Sequence, residues 1–336
     1  MDPVTQGALG AAVAVSKAKP QQIAGAILLG ALAGMAPDLD VVIRSSTDPL
    51  LFLEYHRQFT HSLLFIPFGA LLCALVLHPL SARWSGLSFR QAWSFCLLGY
   101  ATHGLLDACT TYGTLLLWPL SDARIAWNVL SIIDPLVTLP LIAGLVLAKR
   151  KATVAPVLLA LAWFGAYVAL GMVQRDRAEA VGLELAESRG HKPIRLEAKP
   201  SFANLFVFKV VYEYEGRFFV DAVHVGRTTR VYEGESIAKL DVDRDFYWLD
   251  PDAQQAIDIE RFRWFSNDYL AVDKSNSNKI IDMRYSLLPN DINALWSIEV
   301  DPGAPASAHV SYQMHRGDSR AAFRPLWHMM TGQATD

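Results

Sequence analysis

Six acidic and histidine side chains within apolar sequence could bind a divalent metal. They are Asp38, Asp40, His56, His61, His103 and Asp107. Carboxylate and imidazole groups are the usual protein ligands of zinc and similar ions. An ionisable side chain at membrane depth costs roughly 3 kcal/mol on insertion scales, so its presence there indicates a function. The pattern predicts a site for one or more divalent ions, zinc first among them, built among membrane helices.

The spacing of two pairs suits metal binding. His103 and Asp107 are four residues apart on a predicted helix, so both lie on one face and can reach the same ion. Asp38 and Asp40 follow Pro37, which ends the preceding apolar run, and in a turn they can converge on one cation or bridge two. The alternative interpretations are a hydrogen bond within the helix and a pair of solvated acids at a helix terminus.

The motif from His56 to Ser62 precedes the second apolar run. Thr60 is predicted to cap the helix that follows, which places His61 in its first turn and His56 just before it. Arg57 is a candidate clamp for an anionic substrate group, because its planar guanidinium matches pairs of anionic oxygens. An arginine that anchors the chain to lipid headgroups is the alternative.

Two further carboxylates are candidates for catalysis. Asp134 lies inside the apolar run 132–136 and could orient a ligand histidine. The alternative for Asp134 is a helix-start residue before Pro135. Asp40 could serve as a general base instead of a ligand. The predicted catalytic residues are therefore Asp40, Arg57 and Asp134.

Hydropathy divides the chain of 336 residues, 52% of which are hydrophobic. A membrane-spanning helix needs about 20 mostly apolar residues, and five candidate runs occur before about residue 175. They are 21–36 (which the apolar stretch 4–16 could extend as a hairpin), 63–80, 92–117, 129–148 and 154–173. We predict a polytopic α-helical membrane domain over 1–175 with about five spans. Buried helices of a soluble domain are the alternative.

The remainder of the chain is more polar. Residues 176–200 are rich in helix formers and are predicted to be a helical linker. Residues 201–336 are predicted to be a β-rich soluble domain, beginning with a hairpin of strands 206–214 and 217–223 around Gly216. Further predicted strands are 245–249, 259–265, 269–273, 279–286, 294–300 and 307–314.

Basic residues in short loops predict the orientation in the membrane. Lys17 and Lys19, Arg83 and Arg90, and the run 149–151 all fall on the cytoplasmic side if the chain crosses five times from a cytoplasmic amino terminus. The metal-binding residues and the β-rich domain then face outward from a bacterial inner membrane.

The net charge and the cysteine content exclude few classes of protein. The formal net charge of −3 gives no case for nucleic-acid binding. The cysteines Cys73, Cys96 and Cys109 all lie in apolar segments, so no disulfide framework is indicated.

Taken together, the motifs resemble those of the inner-membrane metal-dependent hydrolase family of the YdjM/YbcI type, in a longer-chain subgroup with a β-rich extension. The matching elements are residues 1–6 (MDPVTQ), 37–40 (PDLD), 56–62 (HRQFTHS), 99–107, Gly113, Trp118–Pro119 and Asp134–Pro135. The family is distantly similar to bacterial zinc phospholipase C, which implies hydrolysis of a phosphoester or lipid. Gln6 stands where many members have a histidine, and this departure puts the number of metals in question.

The sequence therefore predicts a membrane-bound hydrolase whose substrate is a membrane lipid or a lipid-linked intermediate, with a β-rich domain that covers the site or binds a protein partner. One alternative is a non-enzymatic membrane regulator or sensor with a structural metal site. Another is a metal or proton transporter, which the lack of an internal repeat makes less favoured.

Overall fold

A computed structural model describes residues 1–315, 317 and 319–334. The chain forms two compact units. Unit 1 consists of Met1–Ile43 and Tyr55–Met172, and unit 2 consists of Arg44–Glu54 and Val173–Asp336. A short segment from the first part of the chain thus belongs to the second unit.

Unit 1 is helical. The first seven α-helices of the chain are α1 (Pro3–Val15), α2 (Ile23–Met35), α3 (Leu51–Tyr55), α4 (Ile66–Ser85), α5 (Phe89–Ala108), α6 (Pro135–Lys151) and α7 (Ala155–Ser188). Four 3-10 segments lie between them, at Pro20–Gln22, Ala36–Val42, Phe59–His61 and Leu63–Phe65. Helix α7 continues from unit 1 into unit 2.

Glycines let three helices of unit 1 pack backbone to backbone. A Cβ atom on Gly30 of α2 would lie 2.6 Å from the Cβ of Ala14, and one on Gly99 of α5 would lie 2.3 Å from the Gly30 carbonyl oxygen. Gly7 faces Met35 in the same way, so α1 and α2 are antiparallel. Helix α5 runs parallel to α2, because His103 follows Gly99 and contacts Gly34.

These directions give unit 1 two chemically different ends. Lys17 and Lys19 follow α1 and Arg90 lies in the first turn of α5, so they share one end, which we call the basic end. Asp38 follows α2 and Asp107 lies in the last turn of α5, at what we call the ligand end. Helix α6 starts at the ligand end, where the hydroxyls of Thr5 and Thr138 are 2.5 Å apart, and finishes with the basic run Lys149–Lys151.

Three helical segments are long and apolar enough to cross a membrane. They are Pro20–Val42, Leu63–Ser81 and Ala155–Ser188, and Pro3–Val15 is a shorter apolar helix. The predicted count of about five spans is not confirmed. The run predicted at 92–117 corresponds to α5, which has 20 residues but is not among the three segments apolar enough to span, and the run predicted at 129–148 corresponds to α6, which has 17 residues. Helix α5 ends at Ala108 before a turn around Gly113, whose φ is +90°, and α6 begins only after Asp134 caps it.

Unit 2 contains two antiparallel sheets. The strands are β1 (Arg195–Pro200), β2 (Val207–Tyr214), β3 (Arg217–Val225), β4 (Thr229–Tyr232), β5 (Ser236–Ala238), β6 (Leu270–Asp273), β7 (Asn276–Asp282), β8 (Trp296–Glu299) and β9 (Ser311–Met314). The first sheet has the order β1-β2-β3-β4, with β5 also paired to β3, and the second has the order β6-β7-β8-β9. The helices of this unit are α8 (Val242–Asp245), α9 (Gln254–Phe265) and α10 (Ser319–Met330).

The predicted hairpin is confirmed. Strands β2 and β3 pair with Tyr214 opposite Arg217, and the two residues between them, Glu215 and Gly216, have φ values of +46° and +67°. A two-residue turn with both φ values positive matches the right-handed twist of the flanking strands. The fold class predicted for the tail, a β-rich domain, is therefore present.

Two predicted strands are wrong. Asp245 is the last residue of α8 and residues 246–249 follow it as a turn, and residues 259–265 are the second half of α9. In α9 the buried residues Gln255, Ile259 and Phe262 recur at the three- to four-residue spacing of one helix face. The aromatic and β-branched residues of this run favour a strand, but the spacing of its apolar residues is that of a helix. The predicted linker 176–200 also divides, because 176–188 belongs to α7 and 195–200 is β1.

Arg261 fastens the segment Arg44–Glu54 within unit 2. Its guanidinium group donates to Asp48 at 2.8 Å, to Glu54 at 2.5 Å and to Asp258 of its own helix at 2.8 Å. The ring of Phe52 packs edge-on against Tyr312, with centroids 5.1 Å apart. The segment Arg44–Glu54 is therefore held by contacts with helix α9 and strand β9 of its own unit.

Candidate metal centre

The structure brings all six predicted ligands together at the ligand end of unit 1. Two overlapping sets each have donor atoms within 4.8 Å of one another. The four-donor group consists of Asp38, His61, His103 and Asp107, and the three-donor group consists of Asp38, Asp40 and His56. Asp38 belongs to both. The sequence separation of these residues is large, so helix packing creates the site.

The spacing of the four-donor group suits tetrahedral coordination. The distances from His61 Nε2 are 2.9 Å to His103 Nε2, 3.5 Å to Asp38 Oδ1 and 3.3 Å to Asp107 Oδ2. His103 Nε2 lies 3.3 Å from Asp38 Oδ1 and 3.6 Å from Asp107 Oδ2. Ligands at about 2.0 Å from a tetrahedral zinc ion are themselves about 3.3 Å apart. Five edges of the donor tetrahedron thus have the length that such an ion requires.

The three-donor group lies beside the first. His56 Nδ1 is 2.7 Å from Asp40 Oδ1, and Asp38 connects this pair to the four-donor group. The side chain of Asp38 is 24% exposed, whereas those of His61, His103 and Asp107 are almost fully buried. The centre is thus closed on the side of the helices and open on the side of Asp38.

A 3-10 turn presents the two aspartates. Helix α2 ends at Met35 and the chain tightens into Ala36–Val42, with Pro37 in its first turn, where the missing amide hydrogen leaves no bond unmade. The prediction that Pro37 ends the apolar helix is confirmed. Asp40 is buried, and its Oδ2 accepts hydrogen bonds from the Arg57 amide at 3.0 Å and from the Thr60 hydroxyl at 2.7 Å.

Both imidazoles of the four-donor group have their second nitrogen engaged. His103 Nδ1 is 2.6 Å from the Gly34 carbonyl oxygen, so it donates there and leaves Nε2 free to bind an ion. His61 Nδ1 faces Thr60 Oγ1 at 2.9 Å and Asp40 Oδ2 at 3.3 Å. Asp40 therefore orients His61, as a carboxylate on the second nitrogen of a ligand histidine commonly does at zinc sites.

The charge balance around His61 favours a cation. Burial alone lowers the pKa of His61, but hydrogen bonds to Asp107, Asp38 and Asp40 raise it to about 10. The carboxylates thus retain a positive charge at this position far above the usual titration range of histidine. A divalent ion between the same donors would supply the positive charge that these carboxylates stabilise.

Thr60 does not cap the second apolar helix as predicted. Ser62 does so, accepting a hydrogen bond from the Leu64 amide at 3.2 Å. The Thr60 hydroxyl is instead used by Asp40. Thr60 and Ser62 both lie close to the helix start, so the sequence alone did not show which of them is the cap. The Thr60 hydroxyl donates to the buried Asp40 carboxylate, and this leaves Ser62 as the cap.

The Arg57 side chain contacts Asp107, one of the predicted ligands, and Thr110. Its Nε is 3.1 Å from Asp107 Oδ2, Nη1 donates to Thr110 Oγ1 at 3.2 Å, and the guanidinium carbon is 4.6 Å from the centroid of the Tyr112 ring. Its φ is +65°, a conformation that a non-glycine residue adopts only under constraint. The guanidinium is buried and pairs with a ligand, so the contacts indicate a role in orienting and neutralising Asp107.

Two groups at Asp107 were not predicted. Gln6 Nε2 donates to Asp107 Oδ1 at 2.8 Å, and the α-amino group of Met1 pairs with the same oxygen. The position of Gln6 in the motif of residues 1–6 was the one available signal. Gln6 thus acts on a ligand through its amide hydrogen, while its Oε1 has no hydrogen-bond partner among the described residues.

Asp134 has contacts of a different kind. Its Oδ1 accepts from the Leu136 amide at 3.0 Å and its Oδ2 accepts from the Tyr167 hydroxyl at 2.7 Å. Pro135 follows at the first helical position, as expected of a capped helix start. One carboxylate oxygen caps α6 and the other joins α6 to α7, and neither donor group of the centre includes this residue.

Asp107 Oδ2 completes the case that these residues fit a metal ion. It is buried and accepts no well-formed hydrogen bond among the described residues. Arg57 Nε lies 3.1 Å from it, and the Nε2 atoms of His61 and His103 lie 3.3 and 3.6 Å from it. A cation between these atoms would be bound by the Asp107 carboxylate and both imidazoles.

A helical membrane unit with a buried cluster of histidine and aspartate is the class that this fold and site define. The family model described as "YdjM inner membrane protein" matches residues 1–178, just over half of the chain. The chain belongs to the YdjM inner membrane protein family. This confirms the resemblance stated from the motifs and supports a membrane location.

Two curated relatives are similar over parts of their length. The inner membrane protein YbcI of Escherichia coli (strain K12) is 33% identical over 110 residues, which is 32% of this chain and 61% of YbcI. The uncharacterised protein YfhP of Bacillus subtilis (strain 168) is 27% identical over 124 residues, 37% of each chain. The chain thus spans less than two thirds of either relative. No solved structure matches it.

Proposed function

We propose that this protein is a metal-dependent hydrolase of the inner membrane that acts on a phosphoester or other lipid-type substrate. The observation that carries the proposal is the pair of donor groups joined through Asp38. Structural zinc sites are closed by four protein ligands, whereas catalytic sites supply three and leave a position open. The three-donor group, which includes the partly exposed His56 and Asp38, has the catalytic pattern.

A divalent ion in such a site supplies a water of lowered pKa and polarises a phosphoryl or acyl oxygen. The chain's own groups divide the remaining tasks. Asp38, at the exposed side, would be the ligand that joins the two donor groups. Asp40 orients His56 and His61, and its predicted role as a general base is less favoured because His56, Arg57 and Thr60 occupy its oxygens.

Arg57 supports the centre by a different route from the predicted one. A substrate clamp needs a guanidinium group that can reach an anionic group of the ligand. Arg57 is 5% exposed and directed at Asp107 and Thr110. We therefore propose that it stabilises the buried carboxylate and keeps Asp107 ionised and fixed.

The arrangement of basic residues supports an orientation in the membrane. The basic end carries Lys17, Lys19, Arg90 and the run Lys149–Lys151, and cytoplasmic loops are enriched in such residues. We propose that the basic end faces the cytoplasm and the ligand end faces outward, as does the chain that follows α7. Because Met1 contacts Asp107 at the ligand end, this proposal places Met1 on the outer side, in contrast to the expectation from the basic loops.

A membrane regulator with a structural metal is the second candidate. One observation favours it, namely that the four-donor group alone provides a closed set of four protein ligands. The two candidates differ in metal content, because a purely structural role needs only the four-donor group.

The test compares two ligand variants of detergent-purified protein by elemental analysis and by hydrolysis of a panel of lipid phosphoesters. His103→Ala removes a ligand of the four-donor group, and we expect it to lose bound metal and activity together. His56→Ala removes a ligand of the three-donor group alone. We expect it to lose at least tenfold in hydrolysis while keeping the metal of the four-donor group.

The matched control is His78→Ala, a part-buried histidine of α4 that belongs to neither group. It should keep wild-type metal content. Wild-type protein that carries metal but hydrolyses none of the panel, with His56→Ala indistinguishable from it, would favour the regulator. Wild-type protein that carries no metal would contradict both candidate functions.

A further inference from the structure

The basic end of unit 1 contains a recess with an unusual lining. Its volume is about 270 Å³. Three cationic side chains, Lys17, Lys19 and Arg90, surround it, and no carboxylate does. The remaining lining residues are Gln22, Gln91, Ser94, Phe95 and Leu98. The turn between α1 and α2 supplies the two lysines, and the first turns of α5 supply Arg90. The positive charge thus comes from separate parts of the chain.

We propose that this recess binds a phosphate group, in the form of the headgroup of an anionic membrane lipid. Arginine and lysine are the side chains that bind phosphate most strongly, the first as a planar fork and the second as a point charge. In the structure none of the three is paired with a carboxylate among the described residues. Their charge is thus available to a ligand.

The position of the recess at the end of a candidate membrane span favours a lipid over a soluble phosphate compound as its ligand. The apolar segment Pro20–Val42 begins directly after Lys19, so the two lysines lie where a membrane span ends and headgroups begin. Phe95 and Leu98 supply an apolar side to the recess, next to the cations. A lipid presents this combination of an anionic group and a hydrocarbon chain.

The recess is separate from the candidate metal centre. Arg90 and His103 lie 13 positions apart on the same helix, which corresponds to about 20 Å along its axis. The two sites are thus at opposite ends of α5. The lipid proposal stands or falls independently of the proposed hydrolase activity, and metal content should be unaffected by changes in the recess.

The test uses the full chain in a neutral detergent and measures retained phosphatidylglycerol by native mass spectrometry. The recess variant is Lys17→Gln/Lys19→Gln/Arg90→Gln. The control variant is Lys149→Gln/Arg150→Gln/Lys151→Gln, which removes the same charge from the same end of the unit. A basic residue that contacts the headgroup contributes about 1 kcal/mol, or about fivefold in affinity, whereas the three control residues do not line the recess. We expect the recess variant to lose at least tenfold and the control variant to lose less than threefold.

A second arm identifies the source of the phosphate. Inorganic phosphate is added to lipid-loaded wild-type protein at millimolar concentration, and we expect it to leave the lipid in place. Displacement at that concentration would assign the recess to a soluble phosphate compound and overturn the lipid proposal. Equal losses in the two triple variants would show a diffuse charge effect and also overturn it.

The single variant Lys17→Gln covers the case in which the triple variant does not fold. It removes an exposed side chain and should lower lipid retention about fivefold while bound metal stays at the wild-type amount. Unchanged lipid retention in this variant, with the protein folded, would contradict the proposal.

Discussion

Gly104 determines how closely the chain around His61 approaches α5. A Cβ atom at this position would lie 2.4 Å from the His61 carbonyl oxygen, closer than real atoms come. Because Gly104 follows His103 directly, the same contact sets the separation of the two imidazoles. The ligand geometry thus depends on a residue that binds nothing.

We expect Gly104→Ala to weaken metal binding at least tenfold, since the displaced His61 leaves the four-donor group. The measurement is a competition titration with a metal chelator. Gly165→Ala is the matched control, because it is also helical but its Cβ would have no neighbour within 4 Å. Equal metal affinity in both variants would mean that the backbone contact does not position His61.

At the residue scale the sequence predicted which side chains come together and did not predict the residues that contact them. All six predicted ligands lie in one cluster, and they could be singled out because ionisable side chains are costly in apolar sequence. Gln6 escaped the prediction as a partner of Asp107, because a neutral amide carries no such cost. Arg57 was expected to face a substrate, and only the fold shows the buried carboxylate that it pairs with.

Among the elements, strand β2 contains a buried lysine. The Lys209 side chain donates from Nζ to Ser286 Oγ at 2.7 Å and to the Asp291 carbonyl oxygen at 2.8 Å. Burial lowers the pKa of Lys209 to about 7, although Asp291 and Asp282 act in the opposite direction. Above this pH the folded protein holds the amine neutral, whereas the unfolded chain still binds a proton there.

The free energy of unfolding should therefore rise with pH between about 7 and 10. For this group the gain from pH 7 to pH 8 is about 1 kcal/mol, which corresponds to about 2–4 °C in melting temperature for a unit of this size. We expect the gain in wild-type protein and not in Lys209→Met, measured by tryptophan fluorescence in detergent. Lys192→Met, at an exposed lysine, should keep it. The same pH slope in all three proteins would contradict the assignment.

The elements with a strong local signal were predicted, and those without one were not. The long apolar helices and the hairpin around Gly216 follow from hydropathy and turn chemistry. Strand β1 contains Glu197, Lys199 and Pro200, which are unusual inside a sheet but common on an edge strand, and β1 is indeed the edge of its sheet. Only pairing with β2 makes that segment a strand, and no local pattern reports such pairing.

For the whole molecule, the segment Arg44–Glu54 is the part whose membership could not be predicted. It lies between ligands of the metal centre in sequence, yet it belongs to unit 2. The ion pairs of Arg261 with Asp48 and Glu54 form across more than 200 positions of sequence. Contacts at that separation arise from the completed fold alone.

We expect Arg261→Ala to release this segment, because the change removes two ion pairs and leaves Asp258 short of a partner. Hydrogen bonds to charged groups contribute about 1.5–3 kcal/mol, so tryptic cleavage after Arg44 should become at least fivefold faster. The control is Lys274→Ala, which breaks an exposed ion pair with Glu235 in the same unit and should change little. Equal cleavage rates in the two variants would show that the segment is held by other contacts.

The interleaved path of the chain also limits how such proteins can recombine. A single crossover near residue 173 would join this helical unit to a foreign tail and leave Asp48, Phe52 and Glu54 facing surfaces that did not evolve with them. A working hybrid needs a second exchange at 44–54. We therefore expect the tail and this internal stretch to vary together among related proteins.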